Sequence, residues 1–248
     1  MKYILAIIYN TWKLYIGIIF VITLLLLYPI FLIFLQKKKY YKYTFQLNVF
    51  WSRLVRILCF YAVHIEGELS SKNEPMIICA NHTSYLDIFL MYSIFPSTRF
   101  LFMGKSEILA YPLVKTFFKG LNIPVYRTDR IKAAKSFIQA RNALNDQWSI
   151  VIFPEGGIPY ETPYLAPFKN GTFKLAISAK VGLQPVTFCN NYFLFSDPEA
   201  VFDRAMPGLS RVVIHPKITS TEVEAGTVEK LNERVYADIN SRLPQKNA

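Results

Sequence analysis

No charged side chain interrupts the sequence between Leu14 and Gln36, "LYIGIIFVITLLLLYPIFLIFLQ". The run is roughly 23 residues long, and a helix needs roughly 20 to cross the apolar core of a bilayer. A buried helix of a soluble domain is shorter and carries polar residues on one face, whereas this run is apolar all round. A cleaved secretory signal would have a shorter apolar stretch and a small-residue cleavage site, and neither is present. Pro29 lies inside the run, so a full crossing and a kinked or re-entrant hairpin both fit it.

Charge follows the same geography. Residues 1–60 hold Lys2, Lys13, Lys37, Lys38, Lys39, Lys42, Arg53 and Arg56 and no acid, so eight of the net +11 charges lie there. Directly after the apolar run comes "KKKYYK", lysines beside tyrosines. Lysines at that border favour the cytoplasmic side and bind anionic headgroups, and tyrosine rings suit the interface. The remainder of the chain is therefore expected to face the cytoplasm from a membrane. Composition agrees: 52% of residues are hydrophobic and only 18% charged, against roughly 25% charged in an average soluble chain. No nucleic-acid-binding motif accompanies the basic balance, so no nucleic-acid partner is expected. Cys59, Cys79 and Cys189 are isolated and lack metal-ligand spacing. They read as small buried hydrophobes, with no metal site.

Two regions follow: membrane-associated helices over 1–66 and an α/β domain over 67–248. In the first, Tyr43–Val63 reads as a second, amphipathic helix with Arg53 and Arg56 on one face. In the second, the apolar runs at 76–80, 99–103, 148–153, 183–188 and 211–216 are bounded by turn residues and read as strands. Ser84–Ile94, Pro112–Phe118, Ile131–Leu144 and Thr172–Lys180 read as helices between them. A last helix from Thr227 would put Val228, Leu231, Val235 and Ile239 on one stripe. Alternation of this kind predicts a largely parallel or mixed sheet flanked by helices.

The stretch "ICANHTSYLDIFL", Ile78 to Leu90, carries the first candidate chemistry. On one continuous helix, positions five apart point about 140° away from each other. His82 and Asp87 converge only if the histidine lies in the turn before the helix. Asn81-His82 supply that turn after the strand, and Thr83 or Ser84 can cap the helix. Ser84-Tyr85-Leu86-Asp87 also has the form of a capping box, in which Asp87 merely holds a backbone donor. Catalytic pair and helix cap therefore both fit these residues. His64 and His215 have no comparable acidic neighbour and read as structural.

"NHTSYLD" resembles the histidine-four-residues-aspartate signature of the glycerolipid acyltransferases, the 1-acylglycerol-3-phosphate acyltransferase family. Further blocks follow in that family's order. "GKSEILAYPLVKTFFKGLNIPVYR" (104–127) resembles its glycine-to-arginine segment, with Lys105, Gly120 and Arg127 at the matching places. "VIFPEG" (151–156) resembles its phenylalanine-proline-glutamate-glycine block, and "FKNGTFKLAISAKVGLQPV" (168–186) the run that ends in its proline-valine element. The family's N-terminal membrane-associated helices match the first region in kind.

The resemblance implies a membrane-bound O-acyltransferase of phospholipid biosynthesis. It implies His82 and Asp87 as the catalytic pair, Arg127, Glu155 and Gly156 at the acceptor site, and Lys105 and Lys169 as further acceptor contacts. It implies no cofactor, only acyl-CoA or acyl carrier protein as co-substrate, with a membrane lipid acceptor and an anionic membrane surface as partners. The sequence departs from the pattern in one place. Where the third block commonly continues with threonine or serine and arginine, this chain has Gly157-Ile158 after Gly156. A lost arginine leaves the acceptor open between 1-acylglycerol 3-phosphate and another lysolipid, such as a lyso-aminolipid. A lipid-binding membrane protein without activity is the alternative from another class.

Overall fold

The computed structural model describes residues 2–68, 74–110, 113, 115–116, 121–197 and 199–245. Helix α1 runs from Lys2 to Phe34 and α2 from Tyr41 to Leu58. The strands are β1 (Tyr61–Glu66), β2 (Met76–Ala80), β3 (Phe100–Lys105), β4 (Ile123–Val125), β5 (Ser149–Ile152), β6 (Gly182–Phe188) and β7 (Gly208–Ile214). Helices α3 (Tyr85–Ile94), α4 (Arg130–Asn145), α5 (Gly171–Ala179), α6 (Asn191–Leu194), α7 (Ser220–Ala225) and α8 (Val228–Asn240) alternate with them.

The sheet has seven strands in the order β1-β7-β6-β2-β5-β3-β4. From β6 to β4 every pairing is parallel; Ile77 lies opposite Leu183 on one side and Ile150 on the other. On the far side the Cys189 N–H bonds Arg211 O while the His215 N–H bonds Pro185 O. The numbers run in opposite senses, so β7 is antiparallel to β6 and the sheet is mixed, as expected. Strand β2, "MIICA", is buried at every position, the unbroken apolar pattern of a strand covered on both faces.

The chain divides into two compact units. One comprises Met1–Glu66, His82–Pro96 and Phe188–Val212, the other Gly67–Asn81, Ser97–Thr187 and Val213–Ala248. In the first, α1 is a 33-residue helix through Pro29, long and apolar enough to cross a bilayer. Trp51 of α2 packs against Phe20 and Phe31 of α1, with centroids 5.0 and 5.9 Å away, and its Nε1 donates to Thr23 Oγ1 at 2.9 Å. Ser52, next in α2, donates from Oγ to Phe89 O of α3 at 2.7 Å, and Phe20 of α1 packs on the Phe89 ring, so the two N-terminal helices brace α3.

The second helix ends earlier than expected. It stops at Leu58, and residues 61–63 belong to β1 rather than to a helix reaching Val63. Phe60 takes a positive φ of 52°, which breaks the helical path, and "YAVHIE" pairs into the sheet. "CFYAV" is apolar enough for either element, and sheet pairing decides it. Strand β4, only three residues with Pro124 in the middle, shows no period; proline fits its place at the sheet edge. The helix expected over Pro112–Phe118 lies largely outside the described residues, as does Gly120.

In the second unit the closing stripe holds at Leu231, Val235 and Ile239 of α8, which are buried, while Val228 at the start of the helix is half-buried. Helix α7 opens on a capping box, with the Glu222 carboxylate accepting from the Thr219 N–H and hydroxyl at 2.8 Å each and from Arg234 at 2.9 Å. The Thr219 backbone bond above all, then Arg234 and the Thr219 hydroxyl, pull the Glu222 carboxyl down to about 2. A lowered acid stabilises the fold above its ordinary range near 4.5 and loses that contribution as pH falls toward 2. Glu222→Gln is expected to cost about 0.5–1 kcal/mol at neutral pH, since the group is exposed. In denaturant titrations the gap from wild type should close on acidification; a gap independent of pH would exclude the charge.

Candidate active site

His82 stands two residues past β2, in the turn before α3. Ser84 caps that helix: its Oγ accepts the Leu86 N–H at 3.0 Å, and the Asp87 carboxylate returns to the Ser84 N–H at 2.8 Å. The same Asp87 Oδ2 accepts the Thr83 N–H at 2.7 Å and lies 3.1 Å from His82 Nδ1. The helix cap and the histidine pair are thus one arrangement. The cap fixes the carboxylate, and the carboxylate faces the ring.

Asp87 is fully buried, and its other oxygen, Oδ1, accepts from Asn191 Nδ2 at 2.7 Å. Asn191 opens α6 directly after β6, and its own Oδ1 accepts from Ser210 Oγ at 2.6 Å. Because Oδ2 already accepts two backbone N–H groups, the His82 contact brings the hydrogen from the ring: Nδ1–H donates, and Nε2 keeps the lone pair. A ring in that tautomer can take a proton at Nε2. Asn191 escaped the reading of the sequence; its one local signal is the polar doublet Asn190-Asn191 closing an apolar strand.

The other expected residues gather in the second unit. Each follows the carboxyl end of a parallel strand, where ligands of open α/β sheets collect: Lys105 closes β3, Arg127 lies two residues past β4, and Glu155 three past β5. Arg127 donates from Nη2 to Gly156 O. A Cβ built on Gly156 would meet Lys169 Nζ at 2.8 Å and Arg127 Nη2 at 2.9 Å, and one on Gly157 would meet Lys105 Nζ at 2.6 Å. Three cations therefore surround the glycine pair. Burial first, then Arg127 and Lys105, lowers the Lys169 ammonium from its usual range.

The lysine beside Gly157 occupies the space a side chain would need, so the chain's departure from the family pattern leaves that space cationic. Glu155 is buried and accepts the Ala166 N–H at 2.9 Å, while the Lys169 N–H bonds Pro154 O at 2.9 Å. Glu155 thus ties back the loop that leads from the glycine pair to Lys169. Gly156 has a φ of +85°, disfavoured for any residue with a Cβ. Gly156→Ala would add that strain, about 1–2 kcal/mol, and push Lys169 and Arg127 aside. The expected outcome is an acceptor KM raised about 10-fold with kcat changed less, as for lost ground-state contacts; steady-state kinetics checks it, and an unchanged KM would detach these cations from the acceptor.

His215 is buried against Thr187, 2.8 Å from Nε2 to Oγ1, and His64 is an exposed residue of β1. Among the described residues no three His, Cys, Asp or Glu side chains group as metal ligands.

The Acyltransferase family model matches residues 62–189. A 1-acyl-sn-glycerol-3-phosphate acyltransferase of Chlamydomonas reinhardtii is 28% identical over 96% of this chain and 69% of its own length. The Saccharomyces cerevisiae enzyme of the same name is 31% identical over 74% of this chain and 60% of its own. The crystal structure of PlsC, the 1-acyl-sn-glycerophosphate acyltransferase of Thermotoga maritima, shares the fold with a TM-score of 0.73, covering 99% of this chain and 100% of that one at 21% identity. With a matched domain that holds the His82–Asp87 pair and Lys105, Arg127, Glu155 and Lys169 alike, this chain belongs to the acyltransferase family.

Proposed function

We propose that this protein moves a fatty acyl group from a thioester carrier, acyl-CoA or acyl carrier protein, to the free hydroxyl of 1-acylglycerol 3-phosphate, giving phosphatidic acid. The contact between His82 Nδ1 and the buried Asp87 carboxylate carries the reading. His82 Nε2 takes the proton from the acceptor hydroxyl as its oxygen attacks the thioester carbonyl. The tetrahedral intermediate collapses, the C–S bond breaks, and the imidazolium returns the proton to the departing thiolate. Asp87 holds the ring's tautomer and offsets its transient charge.

Lys105, Arg127 and Lys169 supply the positive charge that a phosphomonoester acceptor requires, Arg127 with a planar fork suited to two of its oxygens. The relatives named for this reaction support the same acceptor. Helix α1 exposes Ile4, Ile7, Leu14, Leu25, Leu26 and Ile33, an apolar surface that lipid would cover. Lys37–Lys39, just past its end, support the reading of a membrane-associated protein with the catalytic residues on the cytoplasmic side. Anchoring suits an acceptor and a product that both stay in the bilayer.

The test offers the protein, in detergent or vesicles, labelled acyl-CoA or acyl carrier protein with a panel of lysolipids. Labelled phosphatidic acid is the expected product. Product only from phosphate-free acceptors would reassign the acceptor, and binding without turnover across the panel would remove the enzymatic reading.

A further inference from the structure

Asp87 Oδ2 is held by two local backbone N–H groups, that of the N-cap Ser84 as in any capping box and that of Thr83 before it. Its Oδ1 depends on a residue 104 positions away in the sequence, Asn191, through a bond of 2.7 Å. Asn191 and Ser210 are both fully buried, a costly setting for polar groups unless each is satisfied. The structure assigns to Asn191, aimed by the Ser210 hydroxyl, a positioning role in acyl transfer: it fixes the rotation of the Asp87 carboxylate and through it the His82 ring. This rests on His82 being the general base, and it adds two residues to that site.

The amide has a definite direction. Its two ends have nearly the same shape, so packing alone does not choose between them. Turned over, it would set its carbonyl oxygen against Asp87 Oδ1, two acceptors facing each other in a buried, low-dielectric site. The Asp87 carboxylate, which only accepts, therefore draws the donor end of the amide, and Ser210 Oγ, 2.6 Å from Asn191 Oδ1, donates to the other end and holds the amide there. The terminal torsion of an aspartate is broad, so without that donor the carboxylate can turn about the Oδ2 anchor. The ring it orients turns with it, and the effect reaches the proton transfer without any contact between Asn191 and substrate.

Four variants test this: Asn191→Leu, which fills similar volume without a donor; Asn191→Asp, isosteric but with an acceptor facing Asp87; Ser210→Ala; and the double variant Asn191→Leu/Ser210→Ala. Each is assayed for kcat, for KM of thioester and acceptor, and for thermal unfolding. Asn191→Leu should lower kcat about 10–100-fold with both KM values within about two-fold, the pattern of an interaction felt in the transition state. Asn191→Asp should be worse despite its shape, because two carboxylates would then meet. Ser210→Ala should lower kcat about 3–10-fold, and that loss should disappear in the Asn191→Leu background, as it must if the hydroxyl acts through the amide.

A folded Asn191→Leu protein with kcat within two-fold of wild type would overturn the proposal, as would a loss confined to KM or two losses that multiply in the double variant. If the Asn191 variants fail to fold, Ser210→Ala decides by itself, and an unchanged kcat overturns the assignment. His82→Ala separates the two levels. Activity surviving in it defeats the base assignment, whereas a dead His82→Ala beside a fully active Asn191→Leu defeats only the positioning role.

Discussion

His82→Ala is expected to lower kcat for acyl transfer by about 10²–10⁴-fold or more, the usual contribution of a positioned general base. The substitution removes the ring that faces Asp87 and leaves the cap itself intact, because Asp87 still accepts the Thr83 and Ser84 N–H groups. Thermal unfolding should therefore move little while turnover collapses, with KM for the acceptor close to wild type. Turnover within a few-fold of wild type would mean that another group takes the hydroxyl proton.

Asp87→Asn should lose as much activity, about 10⁴-fold, and stability with it. Its loss of activity follows from the ring's tautomer, since an amide nitrogen facing Nδ1 favours a hydrogen on Nε2, where a base needs its lone pair. The loss of stability follows from counting donors. The carboxylate accepts from Thr83, Ser84, His82 and Asn191, and an asparagine has one oxygen for all four. Whichever way the new amide turns, a buried donor meets another donor, at a cost of about 1–3 kcal/mol for each group left unsatisfied. Denaturant unfolding should show the two variants apart: His82→Ala inactive but stable, Asp87→Asn inactive and unstable. Equal stabilities would mean that the four-donor arrangement is not what holds α3 in place.

The two groups of candidate residues were legible to different degrees. The Ser84-to-Asp87 cap spans four residues and the histidine sits in the adjoining turn, so local helix geometry is enough to bring them together. The cation cluster was legible only through the order of four sequence blocks. Lys105, Arg127 and Lys169 are far apart in the chain and meet at Gly156-Gly157 only after the parallel strands have paired. The glycine at 157, a gap when read as a string, is the space into which the Lys105 ammonium reaches.

Among the elements, α1 and β2 follow from uniform apolarity and α8 from its apolar stripe, and α3, α4 and α5 lie within one residue of the expected bounds. Those that failed have reasons in competition between local and distant forces. The segment after Leu58 is apolar enough for helix or strand, and the positive φ at Phe60 with pairing in the sheet turns it into β1. Strand β4 is too short to show alternation. Helix α6 is four residues long, too short to show a helical period, and its first residue, Asn191, is buried against Asp87.

The sequence by itself determined what is local or summed along the chain: an apolar run long enough for a bilayer, a basic border, alternating strands and helices, and a histidine held next to a capped aspartate. Tertiary structure alone decided the partners of that aspartate beyond its own turn, the direction of the Asn191 amide, and the meeting of three cations at a glycine pair. Side chains separated by tens of residues have no fixed distance until the sheet closes, and only the folded chain can place a buried donor 2.7 Å from a carboxylate oxygen.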